Sequence, residues 1–229
     1  MYFVFEHKKK EYAKLYDTET KTGAVFSQLD REESIITLMR VNLLKRLESS
    51  IHSFCLTLEK ILGTIDALDY KIKNHKEFSN DIDILDFDFD DQAYSDMVLG
   101  GKVKVLIQDL DLVKFNEFLR SDREIIKDLL QKCKVVTTER DQKLADLKSL
   151  IHNKIKNPLN TNNKKVIVFS AFADTVKYLY ENCAEYFKDQ YKINSALITG
   201  SGTNYTNMKG CKTDLQNLLI NFSPLSKSR

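Results

Sequence analysis

The residues whose types and spacing come nearest to chemistry lie in one turn, Thr199-Gly200-Ser201-Gly202. Glycines let backbone amides come close to a phosphate, and the hydroxyls of Thr199 and Ser201 add donors, so the turn suits contact with a nucleic-acid phosphate. It does not make a dinucleotide fingerprint, because Thr203 to Gly210 are polar and contain no apolar helix start. Nothing reads as GxxxxGK followed by Ser or Thr, so no nucleotide-binding P-loop is present. Ser49, Ser50 and Ser170 raise the question of a hydrolase, yet none stands in a GxSxG elbow. His52, three residues from Ser49, has no evident acid partner and reads as a structural histidine. Lys45, Arg46 and Glu48 read as solvated or interhelical charge pairs.

Metal and redox chemistry find little support. From Asn80 to Asp91 the chain reads NDIDILDFDFDD, with aspartate alternating with Ile, Leu or Phe. This suits a strand with one acidic face or an acidic surface loop, since the EF-hand Gly at the sixth position and Glu at the twelfth are missing. The four cysteines (Cys55, Cys133, Cys183, Cys211) form no CxxC pair, and the four histidines are dispersed. Reduced, buried cysteines and no zinc site are expected.

The elements that must position these residues are mostly helices. The 229 residues include only 7 glycines and 2 prolines, so long uninterrupted elements are expected. With 42% hydrophobic and 30% charged residues the chain is neither disordered nor membrane-embedded. Its longest apolar runs fall far short of the ~20 residues that span a bilayer, and its start does not resemble a signal peptide. A net charge of +2 is too small to argue nucleic-acid binding by itself. A cytoplasmic protein is expected, with no membrane partner.

After a capping pattern at Asp30 and Glu33, an apolar series runs Ile36, Met39, Leu43, Leu47, Ile51, Phe54, Leu58, Ile61, Ile65, Leu68, Ile72. Steps of three or four residues predict one long helix of roughly 55 Å, or two in line with a kink near Gly63. Leu47 is expected to face a core. Gly100-Gly101 introduces a short strand in Lys102 to Gln108, and Phe115 to Cys133 return to helical spacing. A further helix over Glu139 to Ile151, capped by Thr138 with Asp141, ends at Asn157-Pro158. Then the rhythm changes. Val166-Ile167-Val168-Phe169 reads as a strand buried on both faces, Val176 to Phe187 as a helix, and Ala196-Leu197-Ile198 as a second strand. Strand, helix, strand predicts a βαβ unit with a parallel sheet. The fold class is α/β, helix-dominated: a helical region over 1–137 and an incomplete α/β domain over 138–229.

Four segments, in order, resemble the bacterial Swi/Snf-like branch of helicase superfamily two, whose members are DNA-dependent ATPases with two RecA-like lobes. LMRVNLLKRLESSIHSF (Leu38 to Phe54) is similar to the linker helix after the first lobe. RDQKLADLKSLI (Arg140 to Ile151) is similar to the helix that opens the second lobe. KKVIVFSAFADTVKYLY (Lys164 to Tyr180) resembles the family's fourth motif. SALITGSG (Ser195 to Gly202) with LLINFSPLSKSR (Leu218 to Arg229) is similar to what precedes the fifth.

The resemblance implies an interlobe linker followed by the first half of the second RecA-like lobe, with double-stranded DNA as partner. The first lobe and the remainder of the second would be its other partners. It implies nucleic-acid contact at Ser170, Ala171 and Phe172 after the first strand, and at Thr199, Gly200 and Ser201 after the second. ATP and Mg²⁺ are implied for the whole motor, whose Walker lysine, acidic metal motif and arginine finger would lie before Met1 and after Arg229. No catalytic, cofactor or metal residue is therefore expected in this chain, and no ATP hydrolysis by it alone. The alternative is a helical docking module with no nucleic-acid role.

Overall fold

Helices carry the architecture, as the scarcity of glycine and proline dictates. The computed structural model describes residues 2–19, 25–75, 98–100, 103–161, 163–200, 202 and 204–224. The helices are α1 (Lys9–Tyr16), α2 (Gln28–Ser49), α3 (Ile51–Lys73), α4 (Leu112–Lys134), α5 (Gln142–Lys156), α6 (Ala173–Tyr191) and α7 (Leu215–Phe222). Strands are two-residue pieces in antiparallel pairs: β1 (Thr18–Glu19) with β2 (Val25–Phe26), β3 (Val98–Leu99) with β4 (Val105–Leu106), and β5 (Ala196–Leu197) with β6 (Tyr205–Thr206). No described helix is long and apolar enough to cross a membrane. The chain divides into two compact units, Met1–Leu44 with Thr57–Gln131, and Lys45–Leu56 with Lys132–Arg229. In the sequence reading residues 45–56 lay with 1–137; here they belong to the second unit.

In the first unit the apolar start of the chain lies along the turn after β4. Val4 bridges Leu110, Phe5 donates its amide to the Asp109 carbonyl at 3.0 Å, and Asp111 donates to the Phe3 carbonyl at 2.9 Å. Around this hook Tyr12, Ile72, Val105, Leu106 and Ile107 form the core. Tyr12, fully buried, donates to the Asp109 carboxylate at 2.7 Å and accepts the Leu106 amide at 3.0 Å. Burial first, and then that carboxylate, hold its phenol neutral well above the ordinary tyrosine range. At Gly100, with φ +111°, an added Cβ would lie 2.0 Å from the Val103 carbonyl oxygen, so only glycine fits there.

The long apolar stripe divides. Phe54, Leu58, Ile65 and Ile72 of α3 are buried, as the spacing predicts. On α2, Ile36, Met39 and Leu47 are exposed; Leu47, expected in a core, is 41% exposed. The reason lies in α2's own surface. Ile35, Leu38, Val41 and Leu44 place apolar groups on its other faces as well, so periodicity on one face does not pick out a buried side. The break falls at Ser50 rather than Gly63, and helical bonds continue through it: Ser50 donates to Arg46 at 2.9 Å and Phe54 to Ser50 at 3.0 Å. The cap is also displaced. Ser27 accepts the Asp30 amide at 3.2 Å, so Ser27 caps α2 and Asp30 sits inside its first turn.

The second unit packs α5 on α6 through Leu144, Ile155, Tyr178, Cys183 and Phe187. Asp141 itself, rather than Thr138 with Asp141, caps α5, accepting the Leu144 amide at 3.0 Å, and α5 stops at Asn157 before the proline as expected. Lys192, in the left-handed region at φ 57°, ends α6. Of the four cysteines, all free, Cys183 alone is buried; Cys55, Cys133 and Cys211 are half-buried. The expected parallel sheet is not formed among the described residues. Val166–Phe169 is not strand, and Phe169 is 89% exposed. A strand buried on both faces needs a neighbour at its edge and layers above and below. Here β5 turns back to pair with β6, and that pairing is antiparallel. The helix-dominated character holds.

Candidate nucleic-acid interface

Ser170, Ala171 and Phe172 form the turn by which an extended segment enters α6. Phe172 is the N-cap in extended conformation (φ −118°, ψ 124°) and makes no side-chain capping bond. Its amide instead donates to Ser170 Oγ at 3.2 Å, a short hydroxyl turn. Ala171 is exposed; Ser170 and Phe172 are half-buried.

What packs against this turn comes from far back in the chain. Ser49 Oγ lies 3.4 Å from Ser170 Oγ and 2.9 Å from Thr175 Oγ1, and Ser53 Oγ lies 2.7 Å from Thr175 Oγ1. Arg46 donates to Asp174 at 2.9 Å, and its guanidinium sits 4.8 Å from the centre of the Phe172 ring. The ion pair is part-exposed and contributes about 1 kcal/mol or less. Lys143 Nζ donates to the Glu48 carbonyl. His52 stacks on Tyr178 with centroids 4.7 Å apart, a packing role. Tyr178 donates to Asp141 at 2.9 Å; burial, then that carboxylate, raise its phenol above the ordinary range.

The second candidate turn has different partners. Thr199, half-buried, donates its amide to Asn204 Oδ1 at 3.3 Å, and its carbonyl accepts the Gly202 amide at 3.2 Å. Asn204 also donates to the Thr213 carbonyl at 3.1 Å, tying the loop across itself. Gly200 is exposed, and Ser201 lies outside the described residues. One strand back, Asn207 accepts the Ser195 amide at 2.8 Å and donates to the Ala184 carbonyl at 3.0 Å, fastening β5 and β6 to α6.

Sequence reasoning missed Arg46, Ser49, Ser53 and Thr175 as a set. A signal was present: Arg46, Ser49 and Ser53 stand at i, i+3 and i+7, so three polar side chains share one helical face. Chemically the turns offer amides and hydroxyls, groups that hold phosphate oxygens without reading bases. No group of three His, Cys, Asp or Glu residues that could hold a metal occurs among the described residues, and the acidic run 80–91 lies outside them. The sequence contains no P-loop. Comparison with protein families, curated proteins and solved structures gives no match to this chain.

Proposed function

We propose that the chain is part of an ATP-dependent DNA translocase of the Swi/Snf-like type, supplying the interlobe helix and the nucleic-acid-facing portion of a second RecA-like lobe. One observation carries this reading. The segments Leu38 to Phe54 and Lys164 to Tyr180, which bear the resemblance independently, meet through Arg46–Asp174 and Ser49–Thr175, pairs 128 and 126 positions apart. The exposed Val166–Phe169 fits a sheet that other strands of such a lobe would complete. In this reading Ser170, Ala171, Phe172, Thr199, Gly200 and Ser201 contact the phosphate backbone, and the chain alone turns over no ATP.

The test is duplex DNA binding by the 229-residue chain across a salt series. The expected result is weak binding that falls with salt at a slope of roughly one to three released counterions, equal for unrelated sequences. Ser170→Ala lowers it equally for all sequences. Binding that is absent at low salt, or insensitive to salt, removes the reading. A docking module is favoured by one specific observation, the bare apolar surface of α2, and survives that negative result.

A further inference from the structure

The turn at Ser170–Phe172 has one bond of its own, from the Phe172 amide to Ser170 Oγ, and is otherwise held by side chains from far back in the chain. An N-cap normally supplies a side-chain acceptor for the first amides of its helix, and Phe172 supplies none. Side chains of the α2–α3 junction pack instead on the side chains of the turn and of the first turn of α6. Ser49 reaches both Ser170 and Thr175, and Ser53, fully buried and one turn on, also reaches Thr175. Arg46 reaches Asp174 and the face of Phe172 at once.

Charge gives this geometry a purpose. A carboxylate in the first turn of a helix favours the helix, but it opposes a phosphate approaching the same amides. Asp174 is such a carboxylate, and the guanidinium 2.9 Å away offsets its charge where it stands. The same cation holds the half-buried Phe172 ring, and with it the N-cap backbone.

We infer that Arg46 is the positioning residue of the Ser170–Phe172 turn. Through Asp174 and Phe172 it holds the turn's backbone in the form seen here, with the Phe172 amide bonded to Ser170 Oγ, and it does so without touching the phosphate. The holding stands on this geometry; its use for nucleic acid rests on the translocase reading above.

Amide hydrogen exchange of the 229-residue chain separates the two claims. The reporters are Phe172, whose amide bonds Ser170 Oγ, and Val176, whose amide bonds the Phe172 carbonyl at 3.2 Å. Arg46→Ala speeds exchange at both by about tenfold and leaves Ile151 and Ile155 in α5 unchanged. The exchanged pair, Arg46→Asp with Asp174→Arg, returns both to within about threefold of the unmutated chain. Three results overturn the inference: no change at Phe172 and Val176, an equal change in α5, or no recovery in the exchanged pair. Duplex binding by the unmutated chain is scored separately. If exchange responds as expected and no DNA binds, the positioning stands and the translocase reading falls. If DNA binds and exchange does not respond, the reverse holds.

Discussion

α2 and α3 continue one another in sequence rhythm and differ in what surrounds them. Both carry apolar residues at steps of three and four, yet Leu58 is 2% exposed on α3 while Leu47 is 41% exposed on α2. On α3 the stripe has company. Leu68 and Ile72 meet the hook of the first unit, and Arg123 of α4 pairs with Asp66 at 2.8 Å. On α2 the apolar residues encircle the helix. The lesson is that periodicity reports an apolar face; it does not report whether a surface exists to receive it.

Five substitutions test that contrast. The largest effect belongs to Leu58→Ala, which opens a cavity in α3's packing and costs about 3 kcal/mol in chemical denaturation. A loss below about 1 kcal/mol would mean that α3 is as bare as α2. Next is Tyr178→Phe, at the point where His52 of α3 stacks; losing the bond to Asp141 costs about 1–2 kcal/mol. Its pH signature follows from the raised phenol. The bond's stabilisation is complete below the ordinary tyrosine range of about 10, and is lost as pH rises through the higher folded value. Denaturation midpoints at rising alkaline pH should therefore fall less steeply for Tyr178→Phe than for the unmutated chain. Ser53→Ala comes third, at about 1 kcal/mol, because Thr175 keeps Ser49 as a partner. Smallest is Leu44→Ala, at about 0.5 kcal/mol or less. Leu44→Glu sharpens the contrast further: in the isolated chain it should leave the melting midpoint in place and reduce self-association seen by light scattering. A cooperative loss of the first unit in Leu44→Glu would show that α2 is packed after all.

Much of the secondary structure was legible in the residues. The helices around Phe115, Leu144 and Val176 follow from spacing, and Asp141 and Asn157-Pro158 bound α5 as local chemistry requires. What was not legible depended on partners distant in sequence. Val166–Phe169 has the composition of a buried strand, but composition cannot supply its neighbours, and β5 pairs instead with β6. α1 went unread because Tyr12 and Tyr16 are fixed by Asp109 and Lys104, nearly ninety or more positions away. At the candidate interface the Ser170–Phe172 turn was named from resemblance, and the Thr199–Ser201 turn also from its glycines and hydroxyls. Of the side chains that shape the first, Arg46 read as a solvated or interhelical charge and Ser49 as an ordinary helix serine; that their partners lie on α6 is known only from the fold.

The assignment of Lys45–Leu56 to the second unit makes that unit discontinuous along the chain. During synthesis this segment leaves the ribosome long before its partners on α6 exist, since Ser49 and Thr175 are separated by 126 positions. Closing so wide a loop makes the second unit a high-contact-order assembly, despite its helices being local. Its nascent α5 and α6 must wait for a segment already held between α2 and α3. Cutting the polypeptide at Gln131 would therefore yield no self-sufficient C-terminal half, because that piece would lack the residues that seat Thr175 and Phe172.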